Sequence, residues 1–239
     1  MAAKFVPASL QSIDLSAHAG SLETLNGSLS IWFNSSDPSN NMYVFGFGDV
    51  GTAHFGGLIV GYNLTAGYGD ESLMWAVRTS GFTRILTVVR NGEGFYMDGK
   101  WHHFLVVMDG IDNRIYVDGV KQTLSFTHGS TSTSNAFITT NTFNNVAIGR
   151  RFYTGSPLYM SGSLFDTRIY TSSLDDKKAK NIYGGRGRDG IVKGLKARYR
   201  LDGGPSGSII TSAKDISKNS YDGNPVNDPV YEASPFKVG

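Results

Sequence analysis

Carboxylates and histidines bound the chemistry this chain can do. It has four glutamates, Glu23, Glu71, Glu93 and Glu232, and no two are close in sequence. Hydrolysis of a glycosidic bond needs two carboxyl groups, about 5–5.5 Å apart for retention or about 6.5–9.5 Å for inversion. Asp175 and Asp176 are adjacent, but they open a helical pattern, where negative charge favours the dipole. His102 and His103 are adjacent in a strand pattern, so they point to opposite faces and cannot pair on one metal. One is expected to be buried and hydrogen-bonded, the other exposed. His18, His54 and His128 stand alone. There is no cysteine, hence no disulfide, thiolate metal site or thiol nucleophile. No Gly-x-Ser-x-Gly elbow or phosphate-binding glycine loop is present; GLIVGYN has spaced glycines but no helix after it. No catalytic residue is assigned.

The elements that must position these groups have period two. SLSIWFN puts Leu29, Ile31 and Phe33 on one face; MYVFGFG, LIVGYNL and SLMWAVR follow, separated by Gly, Asn, Asp and Ser. TRILTVVR runs into Asn-Gly-Glu-Gly and FYM, which predicts a hairpin. Six Asp-Gly pairs begin at Asp98, Asp109, Asp118, Asp189, Asp202 and Asp222, where glycine accepts the positive φ of a turn. One segment reads as helix, Ser172 to Gly185. It has a serine cap, aspartates in its first turn, a Gly-Gly end, and Leu174, Ala179 and Ile182 to dock on a sheet.

The chain has 239 residues, 40% hydrophobic and 18% charged, with 30 glycines. That suits a globular, all-β protein with a real core. The net charge of +2 argues against a nucleic-acid polycation. The longest strongly apolar run, Phe104 to Met108, is far short of the ~20 residues of a spanning helix, so no membrane partner is expected. MAAKFVPASL lacks an apolar core, so no secretory signal is read, and the sequons at Asn26, Asn34 and Asn63 are taken as chance. From Lys177 to Arg200 nine Lys/Arg face one acid, Asp189. That is either a solvated face or a patch for an anionic polymer or acidic surface. Residues 186–239 hold most of the prolines and too little apolar sequence for their own core.

WHHFLVVMDGIDNRIYVDG, from Trp101 to Gly119, resembles the central signature of laminin G-like, concanavalin A-like jelly-roll domains. NVAIGRRF and MSGSLFDTRIYTSSLDDKKAKNIY resemble its closing part, and SIDLSAHAG and GSLSIWFN its opening strands. The resemblance covers roughly residues 10 to 185. It implies two antiparallel sheets in a jelly-roll sandwich with one short helix. Leu105, Val107, Ile115 and Val117 would face the inter-sheet core, with Trp101 anchoring its edge. The domain is read as 1–185, and 186–239 as an extension packing on the sandwich or on a neighbouring subunit.

The tail, with Asp215, Ser217, Asn219 and Gly223, resembles C-terminal segments of phage-encoded proteins of this type. On that analogy the leading expectation is a non-enzymatic structural protein of a phage virion, a decoration, fibre or tail component. It would be located in the virion, self-associate and contact other virion proteins. The alternative is a carbohydrate-binding module for host-surface or environmental glycans. Tyr62, Tyr68, Phe152 and Tyr153 are candidate sugar platforms, and Trp75 is assigned to core packing first. The sandwich glucanases of this class carry a Glu-x-Asp-x-x-Glu strand, which is missing here. Relatives of the fold often hold one calcium ion. No cofactor is required, but for a calcium ion the positions to inspect are Asp14 and Asp166.

Overall fold

A computed structural model describes the chain except at 39–40, 53, 62–71, 80–81, 90–95, 129–136, 140–142, 154–157, 234–235 and 237–239. At 72, 79, 82–89 and 126–128 it describes the backbone alone. The Asn-Gly-Glu-Gly turn, Tyr62 and Tyr68 lie outside the described residues.

Alternating apolar residues drive the chain into two sheets, each with eight strands among the described residues, and every strand pair described is antiparallel. The first sheet contains β1 (Ala2–Phe5), β3 (Gly27–Asn34), β8 (Trp101–Met108), β9 (Arg114–Val117), β10 (Val120–Lys121), β13 (Gly162–Tyr170), β14 (Leu195–Tyr199) and β16 (Val230–Glu232). The second contains β2 (Ser12–Asp14), β4 (Met42–Gly48), β5 (Phe55–Gly61), β6 (Ser72–Thr79), β7 (Phe82–Val89), β11 (Leu124–His128), β12 (Asn145–Ile148) and β15 (Asn224–Val226). Leu29, Ile31 and Phe33 of β3 meet Phe45, Phe47 and Trp75 of the facing sheet in one core. Trp75 is fully buried and stacks on Phe137 at 5.4 Å. Among the described residues no helix is long and apolar enough to cross a membrane.

The second helix, α2 (Asp176–Gly185), follows a four-residue turn of helix, α1 (Ala19–Leu22). The cap of α2 is Asp175, whose side chain accepts from the Lys178 N–H at 2.8 Å. The neighbouring Ser173 hydroxyl donates to Asp109 instead. The helix closes on Arg186 at φ 48°, just after the two glycines. Leu174, Ala179 and Ile182 dock, as read, on the outer face of the first sheet. Their partners include Leu105 and Val107, which corrects the phase assigned to β8. Phe104, Val106 and Met108 face the inter-sheet core, with Ile115 and Val117. The all-apolar run has no polar residue to mark its phase, because α2 buries its second face. Trp101 also sits away from the main core, packed on Trp32 and Phe165 of the outer face.

The last third of the chain joins both sheets: β14 pairs with β13, β15 with β2 and β16 with β1. Asp215 ties the turn between β14 and β15. Its carboxylate accepts from the N–H groups of Arg198 and Ser217 at 2.8 Å each, from the Ser217 hydroxyl at 2.8 Å and from the Tyr221 N–H at 2.9 Å. Asn219 donates to the Lys196 carbonyl at 2.7 Å. The Asp-x-Ser-x-Asn spacing is thus a self-satisfied turn.

Candidate functional site

The outer face of the second sheet carries the densest set of groups suited to recognition. Across β4, β5 and β6 the register makes three rows: Tyr43–Ile59–Met74, Gly46–Gly57–Ala76 and Gly48–Phe55–Arg78. Tyr43, Phe55, Ile59, Met74 and Ala76 form a cluster of their own, apart from the inter-sheet core. Gly46 must lack a side chain, because a Cβ there would stand 2.1 Å from the Arg150 carbonyl oxygen. That clearance lets the chain leaving β12 fold back across the sheet. Arg151 N–H donates to the Leu158 carbonyl at 2.9 Å, and Arg150 bridges Tyr159.

This crossing places Arg151 among three rings. Its guanidinium carbon lies 5.5 Å from the Tyr43 centroid, 5.6 Å from Phe55 and 5.0 Å from Tyr153. Such distances suit cation–π attraction. Burial pushes the Tyr43 phenol well above its ordinary range, against the opposing pull of the Arg151 charge and hydrogen bond. Tyr43 therefore stays neutral and accepts from Arg151. Arg78 lies 5.9 Å from the Phe55 ring, and Arg150 lies 4.9 Å from Phe152 and 5.7 Å from Tyr159. Tyr153 meets Phe55 edge-on at 5.1 Å. Tyr43, Phe55 and Phe152 are buried and fix the array; Arg78, Arg150, Arg151, Tyr153 and Tyr159 are half-buried and present it. A guanidinium fork can donate to two neighbouring oxygens at once, and a tyrosine ring can cover an apolar sugar face.

Of the residues singled out from sequence, Tyr153 stands in this array, and Phe152 lies beneath Arg150 at 3% exposure. Asp14 is elsewhere, at the end of β2, where its Oδ1 accepts from the Ser16 N–H at 2.8 Å and from the Ser16 hydroxyl. Asp166 is on the other sheet, buried between two arginines. Arg168 donates to it through Nε at 2.9 Å, and Arg198 through Nε at 2.7 Å. Arg168 also grips Asp189 through both terminal nitrogens at 2.7 Å. Both oxygens of Asp166 thus accept from guanidinium groups, in a charge-balanced network of Arg168 and Arg198 with Asp166 and Asp189. Among the described residues no three His, Cys, Asp or Glu side chains are grouped to hold a metal ion.

The histidines divide as their strand position requires, with one difference. His103 is fully buried and shares a 2.9 Å hydrogen bond with Ser30. Burial, reinforced by the Arg168 charge, pushes it down to about 4. His102 is part-buried rather than exposed, held between Asp118 at 2.8 Å and Asp98 at 3.2 Å.

Sequence reasoning missed Tyr43, Phe55, Arg78, Arg150 and Arg151. Glycines inside strands, here Gly46 and Gly57, were the available signal, because they mark a close backbone approach.

Two antiparallel sheets with a jelly-roll course define the class of this protein. The family model for the concanavalin A-like lectin/glucanases superfamily matches residues 10–180, and the chain belongs to that superfamily. No curated protein matches the chain. Among solved structures it is similar to a protein of Bacteroides ovatus described as carbohydrate binding, with TM-score 0.64 and 18% identity. That likeness covers all of this chain, which spans 61% of the other protein's length. It is also similar to the CBM40 domain of the Ruminococcus gnavus IT-sialidase bound to α2,6-sialyllactose, with TM-score 0.57 and 14% identity over 77% of this chain and 97% of that one. A mutant NanB sialidase of Streptococcus pneumoniae gives TM-score 0.55 and 15% identity over 72% of this chain and 26% of that one. Nothing in these likenesses points to a phage virion.

Proposed function

We propose that the protein is a non-catalytic carbohydrate-binding module whose glycan lies on the outer face of the second sheet. The observation that carries this reading is the array around Arg151: three rings about one guanidinium, with Arg78 and Arg150 beside it. In this reading Tyr153 and Tyr159 cover the sugar ring, and the arginines donate to hydroxyl or carboxylate oxygens. Arginine is more suited than lysine to that task because its planar fork fixes the orientation of its acceptor. The B. ovatus and R. gnavus proteins, of similar fold, are described as carbohydrate-binding or sugar-bound, which supports a glycan as ligand. Binding by this array needs no metal.

A glycan array probed with the full chain, in calcium and in EDTA, tests the reading. The expected result is binding that survives EDTA and falls at least tenfold in Arg151→Ala. Binding abolished by EDTA, or unaffected by Arg151→Ala in a folded protein, contradicts it.

A further inference from the structure

The outer face of the first sheet carries an aromatic cleft that the chain fills with a residue of its own C-terminal region. The register sets Phe165, Trp32 and His103 in one row across β13, β3 and β8. Trp32 is the floor: the Tyr183 ring of α2 stacks on it at 5.5 Å and the His103 ring meets it at 5.0 Å. Ala2 and Trp101 join Trp32 and Phe165 in one cluster. Phe236 stands edge-on to the Trp32 ring at 4.6 Å and to the Phe165 ring at 5.9 Å. The guanidinium of Arg186, at the end of α2, lies 5.4 Å from the centre of the Phe236 ring. Phe236 is half-buried, so the plug is reached from solvent.

The floor beneath is incomplete. Trp32 Nε1 and His103 Nδ1 are buried and have no hydrogen-bond partner among the described residues, although buried polar groups are nearly always paired. His103 shares its Nε2 with the Ser30 hydroxyl at 2.9 Å, and burial keeps its ring neutral near pH 7. Its Nδ1 is then an acceptor in one tautomer and a donor in the other. A hydroxyl both donates and accepts, so it can serve the indole N–H and His103 whichever tautomer holds. The phenyl ring of Phe236 has no polar atom to give.

We propose that this cleft is a docking site for a tyrosine side chain on a partner polypeptide, and that Phe236 is a resident plug which the tyrosine displaces. The bound Phe236 shows that the cleft takes an aromatic ring borne by a peptide, and the two unpartnered atoms call for the hydroxyl that phenylalanine lacks. Tethered beside the cleft, the plug competes at an effective concentration of about a millimolar, which keeps weak ligands out. The inference is independent of the Arg151 array, which lies on the opposite sheet.

The test uses the full chain, its Phe236→Ala variant and, as a second opened form should that one not fold, Phe236→Leu; melting curves report folding. The probes are acetylated peptides of residues 233–239 with the natural phenylalanine, with Phe236→Tyr and with Phe236→Ala. Binding is read from the Trp32 indole N–H signal by NMR. The opened variant is expected to bind the Phe236→Tyr peptide about tenfold or more tighter than the full chain does. It should also prefer that peptide to the natural one by about threefold or more, the worth of one hydrogen bond. The Phe236→Ala peptide should not bind. No binding by the opened variant, or equal binding of the Phe236→Tyr and Phe236→Ala peptides, overturns the inference. Equal binding by the full chain and the opened variant also overturns it, because Phe236 is then no plug, as does a natural peptide that binds as tightly as the Phe236→Tyr one. Lactose forms a further arm: a shift of the Trp32 signal with lactose, and none with the peptides, reassigns the cleft to a sugar and overturns the inference.

Discussion

His102 is predicted to be a protonation-dependent clasp. Its Nδ1 lies 2.8 Å from Asp118 and its Nε2 3.2 Å from Asp98. A neutral imidazole carries one N–H, so only the imidazolium can donate to both carboxylates. Around it stand Lys100, paired with Asp98 at 2.8 Å, and the Tyr96 ring, edge-on at 5.6 Å. Burial lowers the affinity of His102 for a proton, but hydrogen bonds and charge from Asp118 and Asp98 outweigh it and raise the folded value above 6.5. The contribution of His102 is therefore fully present below 6.5 and is lost as pH rises through the raised value. Burial also works against the charged form of Asp98, but bonds from Lys100 and His102 bring it down to about 2 from 3.8. Its contribution is present above 3.8 and is lost as pH falls towards 2. The clasp is thus strongest between these limits.

Hydrogen bonds to charged groups contribute about 1.5–3 kcal/mol net. Asp118 is 31% exposed, so we take that range for the whole clasp rather than for each bond. In a chain of this size about 1 kcal/mol moves Tm by about 2–4 °C. His102→Gln keeps a polar side chain that cannot gain a proton. The gap in Tm between the full chain and this variant should be about 3–12 °C near pH 5.5 and should shrink as pH rises from 6.5 through the raised value. A gap that is flat across pH, or that widens in alkali, refutes the reasoning.

Three further outcomes follow from the packing. Asp189→Ala leaves the buried Arg168 short of its bidentate partner and should destabilise the fold by about 3–5 kcal/mol in urea unfolding. Gly46→Ala drives a Cβ into the Arg150 carbonyl; it should lower Tm and weaken glycan binding together, because the crossing segment carries Arg151. Asp175→Ala removes the side-chain acceptor at the start of α2 and should cost about 0.5–2 kcal/mol by thermal melting.

The strands were readable because their alternation reports one buried face: Leu29, Ile31 and Phe33 lie together in the core. Reading failed where both faces are buried. Phe104–Met108 carries no phase, and its outer half could be assigned only once α2 was seen to cover Leu105 and Val107. The helix was legible through Leu174, Ala179 and Ile182. Its cap was not, since serines and aspartates crowd the same turn and a long-range bond took Ser173 away. The Arg151 array was hidden for a different reason. Tyr43, Phe55 and Arg78 are neighbours only through the register of β4, β5 and β6. Arg151 reaches them from about a hundred residues away across a glycine. Asp166 was legible only as a strand-end acid to inspect for calcium, because Arg198 meets it only through the fold.

The central claim is that a glycan sits on the outer face of the second sheet. The most direct measurement is an NMR titration of the isotope-labelled full chain with the strongest glycan from the array, following backbone amides and arginine side chains. The account predicts saturable shifts centred on Tyr43, Phe55, Arg78 and residues 150–153, absent in Arg151→Ala. Shifts centred on β8, β13 or α2 instead, with the Arg151 region unmoved, contradict it.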